Sequence, residues 1–245
     1  MTAFHLTVLG RLELTDATGA DQLHHLSQPK RLALLLYLAV ARPARYHRRD
    51  ALLALLWPEL DGASGRRALR QAIHYLRTRL GAATLPARGV DELGLDPEAI
   101  TSDLVAFELA MTQGRWLDAL RLHQGPLVPG FHCEGASPDY SDWLDRRRRA
   151  IRRQAAEAAR QSSGGAGSPA LGPAIEQLRQ AIDAGSFDEG LVRELMRALV
   201  RSGDGAGALR LFAHFHDRLE RELGVGPSAP TAALAVEIRA ASTDR

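Results

Sequence analysis

The stretch from Gly65 to Gly81, GRRALRQAIHYLRTRLG, constrains the fold most, because it contains five arginines and no acidic residue. At the helical period of about 3.6 residues, its apolar side chains share one face. They are Leu69, Ala72, Ile73, Leu76 and Leu80. The opposite face carries Arg67, Gln71, His74 and Thr78, with Arg66, Arg70 and Arg77 on one flank. Surface helices usually mix both signs of charge and gain from pairs one turn apart. This helix is therefore expected to take its counter-charges from another molecule.

The positive charge extends to the sequence around this helix. Residues 24–90 contain twelve Lys and Arg against three Asp and Glu, a net charge of +9, whereas the rest of the chain carries −7. A basic segment beside an acidic remainder indicates a polyanionic partner for the basic segment alone.

Global features place the 245-residue chain among globular proteins. No apolar run reaches the ~20 residues that span a bilayer. The N-terminus lacks the basic start and apolar stretch of a signal peptide. Cys133 is the only cysteine, which excludes an internal disulfide and fits a reducing compartment. We therefore expect a cytoplasmic protein with no membrane contact.

The first hundred residues alternate between short extended and helical patterns. FHLTVLGRLEL alternates at period 2 and predicts a strand or bent strand pair, and LHHLS predicts another short strand. Helices are predicted for QPKRLALLLYLAVARP, for RRDALLALLWPEL and for residues 66–80, with Ser64 as the N-cap of the last. RGVDE then predicts the turn of a hairpin. A small sheet, three helices and a hairpin form the layout of a winged helix.

From about Ile100 onward the sequence predicts helices only. GRWLDALRL and GDGAGALRL share the pattern Gly-x4-Ala-Leu-Arg-Leu, and the second copy fits a tetratricopeptide frame. The glycine is expected at the turn of a helical hairpin and the alanine where two helices pack closely. YSDWLDRRRRAIRRQAAEAARQ predicts a long helix, and SSGGAGSPALGP, residues 162–173, predicts a flexible link. The predicted fold class is mainly α with a small β component.

These landmarks together resemble one protein family. The matching stretches include VLGRLEL, QPKRLALLLYLAVARP, RRDALLALLWPELD, ALRQAIHYLRTRLG, GPLVPGF, DWLDRRRRAIRR and LRLFAHFHDRLERELGVGPSAPT. The chain resembles the antibiotic-regulatory-protein type of bacterial transcriptional activator. The resemblance implies an OmpR-type winged helix over residues 1–99 and a tetratricopeptide-like activator domain over residues 100–245. It also implies binding to double-stranded promoter DNA, contact with RNA polymerase and a homodimer on direct repeats.

The helical wheel and the family layout together assign roles to individual side chains. Arg67, Gln71, His74 and Arg66 are expected to reach base edges in the major groove, where Arg pairs with guanine and Gln with adenine. Phosphate contacts are expected from Arg48, Arg49, Ser64, Arg70, Arg77 and Thr78. Arg88, near the tip of the hairpin, is expected to enter the minor groove.

Other functions find less support in the sequence. His24 and His25, His132 to Glu134, and His214 with His216 resemble metal ligands only in composition. There is no phosphate-binding loop, so we expect no catalytic centre, metal or cofactor. The run Arg146–Arg149, with Arg152 and Arg153, is expected to have a structural or interdomain role, because Asp139, Asp142 and Asp145 lie just upstream, and a secondary DNA contact is the alternative. A helical-repeat interaction scaffold without specific DNA binding remains the main alternative.

Overall fold

The computed structural model describes residues 4–26, 28–41, 45–162, 171–183 and 187–243. Its contacts divide the chain into two compact units, one of residues 1–106 and 126–150 and the other of residues 107–125 and 151–245.

A three-stranded sheet opens the first unit. β1 (Phe4–Thr7) pairs antiparallel with β2 (Glu13–Asp16) and parallel with β6 (Ile100–Ser102). The predicted strand pair at the N-terminus is therefore present. Residues 23–26 form a 3-10 turn, so the strand predicted for LHHLS is wrong. Leu26 is buried there. In so short a segment, one buried apolar residue in a turn gives the same sequence pattern as a short strand.

Three helices pack beside this sheet. They are α1 (Pro29–Val40), α2 (Arg49–Leu56) and α3 (Gly62–Leu80). Proline stands in the first turn of α1, where its missing N–H costs nothing. The fully buried side chains of α1 include Leu34 and Leu35, and those of α2 include Leu52 and Leu56. Burying each such leucine contributes about 1.5–3 kcal/mol, which makes this helical layer the core of the unit.

A second small sheet forms the wing. β4 (Ala87–Arg88) and β5 (Glu92–Gly94) make the predicted hairpin, and β3 (Tyr46–Arg48) adds to β5 from the segment before α2. Gly89 takes a φ of 63° in the hairpin turn. A Cβ on Gly94 would lie 2.7 Å from the Arg45 carbonyl oxygen, so the β3–β5 approach requires glycine there.

Asp103 ties β1 to the helix that follows β6. Its carboxylate accepts hydrogen bonds from the N–H groups of Val8, Leu9 and Leu104 at 2.8–3.0 Å. Burial raises the pKa of Asp103, and the three N–H donors oppose that shift. Asp103 is the first residue of α4 (Asp103–Thr112), where a negative charge is also favoured by the helix dipole.

Residues 126–150, the second segment of the first unit, pack onto its first segment through aromatic side chains. Tyr140 is buried and its hydroxyl donates to the Ala33 carbonyl at 3.2 Å. The Trp143 ring lies 4.5 Å from that of Tyr37. Both Tyr140 and Trp143 belong to α6 (Pro138–Ser162), the predicted long helix.

One arginine of the basic run in α6 is directed to a loop. Arg148 donates to the carbonyls of Leu127, Val128 and Phe131 at 2.9–3.2 Å. Val128 has a φ of 45°, which is uncommon for a β-branched residue. The guanidinium of Arg148 holds this loop in place.

The second unit contains helical hairpins. α5 (Trp116–Leu122), α7 (Leu171–Asp183), α8 (Glu189–Arg201), α9 (Gly205–Leu223) and α10 (Ala229–Thr243) follow in chain order. Gly114 and Gly203 have φ of 67° and 88° at the two hairpin turns, and Ala119 and Ala208 are fully buried. The shared Gly-x4-Ala pattern therefore has the predicted structural role.

The predicted link of residues 162–173 is partly helical. Ser162 ends α6, and Leu171, Gly172 and Pro173 already belong to α7, so the link is shorter than expected. Pro173 lies in the first turn of the helix, where proline is tolerated. Residues 163–170 lie outside the described residues.

Candidate nucleic-acid interface

The predicted polar face of α3 is exposed. Leu69, Ala72, Ile73, Leu76 and Leu80 are buried against the unit core. The exposed residues of the helix include Arg66, Arg67, Arg70, Gln71, His74 and Thr78. Among the described residues, no carboxylate forms an ion pair with Arg66, Arg67 or Arg70. Three guanidinium groups on one helix therefore remain free to bind an external anion.

α3 begins four residues earlier than the sequence predicts. Asp61 is its N-cap, and the Asp61 carboxylate accepts from the Ser64 backbone N–H at 2.7 Å. That hydrogen bond, helped by nearby Arg66, holds the pKa of Asp61 below its usual range. The prediction of Ser64 as the cap is wrong, because the helix already begins at Gly62 and Asp61 caps the first of its free N–H groups. Ser64 is exposed in the first turn of α3.

The earlier start brings α2 and α3 close together. Gly65 is buried, and a Cβ there would lie 3.4 Å from Leu53 Cδ2 and 3.8 Å from Leu60 Cβ. The small residue allows the two helices of a helix-turn-helix to approach with a short connection. The connection between the two helices is residues 57–61.

Arg48 and Arg49 stand at the start of α2, as predicted, but their environments differ. Arg48 is the N-cap residue; its exposed side chain makes an ion pair with Asp50 at 3.3 Å. The Arg49 backbone N–H donates to the Asp91 carbonyl at 2.8 Å, and its side chain is half-buried. Only Arg48 therefore presents most of its side chain to solvent.

Arg77 and Thr78 are engaged with the backbone of their own unit. The Arg77 guanidinium donates twice to the Leu85 carbonyl, at 3.1 Å from Nε and 2.6 Å from Nη2. The Thr78 hydroxyl donates to the His74 carbonyl at 2.9 Å and remains exposed. Arg77 thus fixes the segment between α3 and the wing against the helix.

Arg88 lies on the wing and is paired there. Its guanidinium donates to Glu92 across the β4–β5 hairpin and lies 5.0 Å from the centre of the Tyr46 ring. The same hydrogen bond lowers the pKa of Glu92 and raises that of Arg88. The exposed tip itself consists of Gly89, Val90 and Asp91.

A basic cluster around Tyr75 was missed in the sequence. The guanidinium of Arg31 lies 3.8 Å from the centre of the Tyr75 ring and that of Arg79 lies 5.6 Å from it. The Tyr75 hydroxyl donates to the His25 carbonyl at 2.6 Å. Arg79 follows Tyr75 by four residues in α3, so the contact between these two is predictable from helical spacing. The contact of Arg31 with Tyr75 depends on the packing of α1 against α3.

The histidines and the cysteine do not assemble a metal site in the described part of the chain, where no group of three His, Cys, Asp or Glu could hold an ion. His216 pairs with Glu220 at 3.3 Å, and the rings of His24 and His25 stack at 3.8 Å. Cys133 is buried, and burial raises the pKa of its thiol. No helix within the described ranges is long and apolar enough to cross a membrane.

Comparison with known proteins identifies both the family and the fold. A family model described as the bacterial transcriptional activator domain matches residues 108–239. The solved structure of Mycobacterium tuberculosis EmbR in complex with a low-affinity phosphopeptide aligns with a TM-score of 0.65 at 22% identity. The alignment covers 97% of this chain and 65% of the EmbR chain, so this protein spans about two thirds of EmbR. No curated protein sequence matches the chain.

These findings agree with the two-part architecture. The EmbR-like fold extends over the small sheets and α1 to α3 as well as over the helical hairpins, which confirms the predicted fold class. The family match covers more than half of the chain and coincides with its helical part. The chain belongs to the bacterial transcriptional activator domain family, in agreement with the resemblance seen in its sequence.

Proposed function

We propose that this protein is a sequence-specific, double-stranded DNA-binding transcriptional regulator that activates transcription by contacting RNA polymerase. The single observation that supports DNA binding most is the exposed, acid-free face of α3. Its guanidinium groups lack carboxylate partners within the described part of the protein. A DNA duplex supplies closely spaced phosphates, and its major groove accommodates an α-helix.

In this proposal α3 lies in the major groove with its apolar face toward the core. Arg67, Gln71 and His74 reach base edges, helped by Arg66 in the second turn of the helix. Each well-formed bidentate contact of Arg with guanine or Gln with adenine contributes about 1–3 kcal/mol of discrimination. The exposed positions of these four side chains support these roles.

The remaining residues position the protein on the backbone of the duplex. Arg70, Arg48, Ser64 and Thr78 are exposed and hold phosphates from α3 and the start of α2. Arg49 and Arg77 act closer to the protein core, since each is half-buried. Arg88 exchanges its Glu92 partner for the minor groove when the wing meets DNA.

The two domains have the separate functions that the family resemblance implies. Residues 1–99 form the proposed DNA-binding module and residues 100–245 the activator module, and the family match over residues 108–239 supports the second. Two copies bind direct repeats in the cytoplasm, where promoter DNA and RNA polymerase are both available.

Selection of bound duplexes from a random-sequence library tests this function with the full chain. The selected duplex should bind the wild type tightly, and the double variant Arg67→Ala/Gln71→Ala should bind it at least about tenfold more weakly. Fluorescence anisotropy measures the dissociation constants. A double variant with unchanged affinity would contradict the assignment of α3 as the recognition helix.

A matched control separates recognition from a general loss of charge. Arg221→Ala removes one positive charge from an exposed position of α9, as the double variant removes one from α3, and should leave the affinity for the selected duplex unchanged. If the wild type enriches no duplex at all, the proposal fails and the helical-repeat scaffold becomes the better explanation.

A further inference from the structure

A groove in the second unit offers a binding site separate from α3. It has a volume of about 630 Å³ and is lined by residues of α7, α8 and α9. Its floor is apolar and includes Ile182, Leu195, Leu211 and Phe215. The volume falls in the range of about 300–1,000 Å³ that is typical of ligand sites.

The floor stays open because a glycine occupies the first turn of α9. Gly207 is buried, and its N–H donates to the N-cap residue Asp204 at 2.7 Å. A Cβ at Gly207 would collide with the Asp204 carboxylate. The same contact that caps the helix therefore keeps any side chain out of the groove at this point.

The rim of the groove is cationic. Arg179, Arg210, Arg218 and Arg221 line it together with His214, against two acids, Asp183 and Asp217. Four guanidinium groups stand against the two lining carboxylates and Asp204, which pairs with Arg210, so one positive charge remains in excess with neutral histidine. The surplus matters because the arginines stand beside an apolar surface, where charge pairs are less screened than in water.

The four arginines divide into fixed and available groups. Arg218 donates to the Ile182 carbonyl at 3.3 Å and lies 4.8 Å from the centre of the Phe187 ring, so it is part of the wall. Arg210 pairs with Asp204 at 3.7 Å. Arg179 and Arg221 are exposed, and neither forms an ion pair with a residue that the structure describes. Arg221 donates its Nε to the Asp217 carbonyl at 3.2 Å, which leaves its two terminal nitrogens for a ligand.

We propose that this groove is the docking site of an acidic peptide segment that carries an apolar anchor residue. The apolar floor takes the anchor, and the exposed guanidinium groups of Arg179 and Arg221 bind carboxylates, which they contact in bidentate geometry. A nucleic-acid strand suits the groove poorly, because Asp183 and Asp217 would repel a continuous line of phosphates.

Fluorescence anisotropy with the full chain tests the proposal. The probe is a fluorescein-labelled short peptide of glutamates around a central Leu-Leu pair. Two matched peptides replace either the glutamates by lysines or the leucines by serines. The first peptide should bind, the lysine peptide should not, and the serine peptide should bind more weakly. Failure of the wild type to bind the first peptide would overturn the proposal.

Variants of the chain locate the site. Arg179→Glu/Arg221→Glu should weaken binding of the peptide at least about tenfold, because like charges then face its carboxylates. Leu211→Ala should weaken it several-fold without any change in charge. The control is Arg153→Glu, an exposed arginine of α6 outside the groove, which should bind as the wild type does. Thermal unfolding confirms that each variant is folded.

Two results would reject the docking site. One is equal binding of the peptide by the groove variants and by Arg153→Glu. The other is displacement of the peptide by free succinate at the peptide's own concentration, which would show a small-anion site. Neither result bears on DNA binding by α3, because the duplex assay uses different residues.

Discussion

At the scale of single residues, buried charge determines where chain segments meet. Asp103 is a buried carboxylate with three backbone N–H donors, two of them from the end of β1. A buried polar group without partners costs about 1–3 kcal/mol, so this arrangement is stable only while every donor and acceptor is matched. The sequence gives no sign of it, because an aspartate before an apolar helix normally indicates an exposed cap.

Asp103→Asn should lower the free energy of unfolding by about 1–3 kcal/mol. In the variant an amide NH2 replaces one side-chain oxygen and faces the backbone N–H of either Leu9 or Leu104. That backbone N–H and the amide N–H opposite it are then both without an acceptor. Urea denaturation followed by circular dichroism measures the loss. Asp91→Asn, at the exposed wing tip, is the matched control and should change stability by less than about 0.5 kcal/mol. Equal stability of the two variants would refute the role given to Asp103.

At the scale of elements, one glutamate connects two helices of the second unit. Glu189 begins α8, and its carboxylate accepts from the Ser228 N–H at 3.0 Å and from the hydroxyls of Ser228 and Thr231. Thr231 is fully buried in α10. Burial alone would raise the pKa of Glu189, but these hydrogen bonds and nearby Arg193 together lower it. The carboxylate therefore holds the start of α10 against α8.

Glu189→Gln should destabilise the chain by about 1 kcal/mol at neutral pH. Because the native pKa of Glu189 is lowered, its contribution is present above the ordinary value of 4.5 and is lost as the pH falls through the native pKa. The difference in unfolding free energy between wild type and variant should therefore shrink below pH 4.5. Denaturation curves at several pH values measure it.

The control for this pH dependence is Glu222→Gln, an exposed position at the end of α9. It should show no comparable stability loss at neutral pH. A Glu189→Gln difference that stays constant from neutral to acidic pH would show that the carboxylate charge is not responsible.

Periodic elements were predictable, whereas those defined by distant partners were not. The apolar face of α3 is visible as a helical repeat from Leu69 to Leu80. β3 is only Tyr46–Arg48, and it is a strand because β5 lies beside it, which no local pattern encodes. The start of α3 was misplaced because Asp61 and Ser64 are both good caps and only the folded backbone selects between them.

At the scale of the whole molecule, charge is divided unevenly along the chain. Residues 24–90 carry +9 and the rest −7. Among the described residues, no acidic side chain from the rest of the chain forms an ion pair with the exposed arginines of α3. This separation could be predicted from composition. The roles of Arg77 and Arg88 could not, because their partners, the Leu85 carbonyl before the wing and the Glu92 carboxylate across the wing hairpin, are brought to them only by the folded backbone.

Binding of duplex DNA should weaken steeply with salt. The logarithm of the association constant should fall by about 0.9 for each phosphate contact when the salt concentration rises tenfold. Arg70→Ala should reduce that slope by about 1 and weaken selected and random duplexes equally, since phosphate contacts carry no sequence information. Anisotropy titrations at several salt concentrations measure both effects. Arg221→Ala in α9 should leave the slope unchanged, and an Arg70→Ala slope equal to the wild type would contradict the phosphate role.

The parallel pairing of β1 with β6 joins Phe4 to Ile100, and the first unit also needs Tyr140 from α6. A ribosome adds about 5–20 residues per second. The first strand is therefore made on the order of 10 s before the last segment of its unit leaves the exit tunnel. Until then the nascent helices around α3 lack part of their packing surface. Translation thus delays completion of this unit until the loop and helix beyond residue 125 have been synthesised.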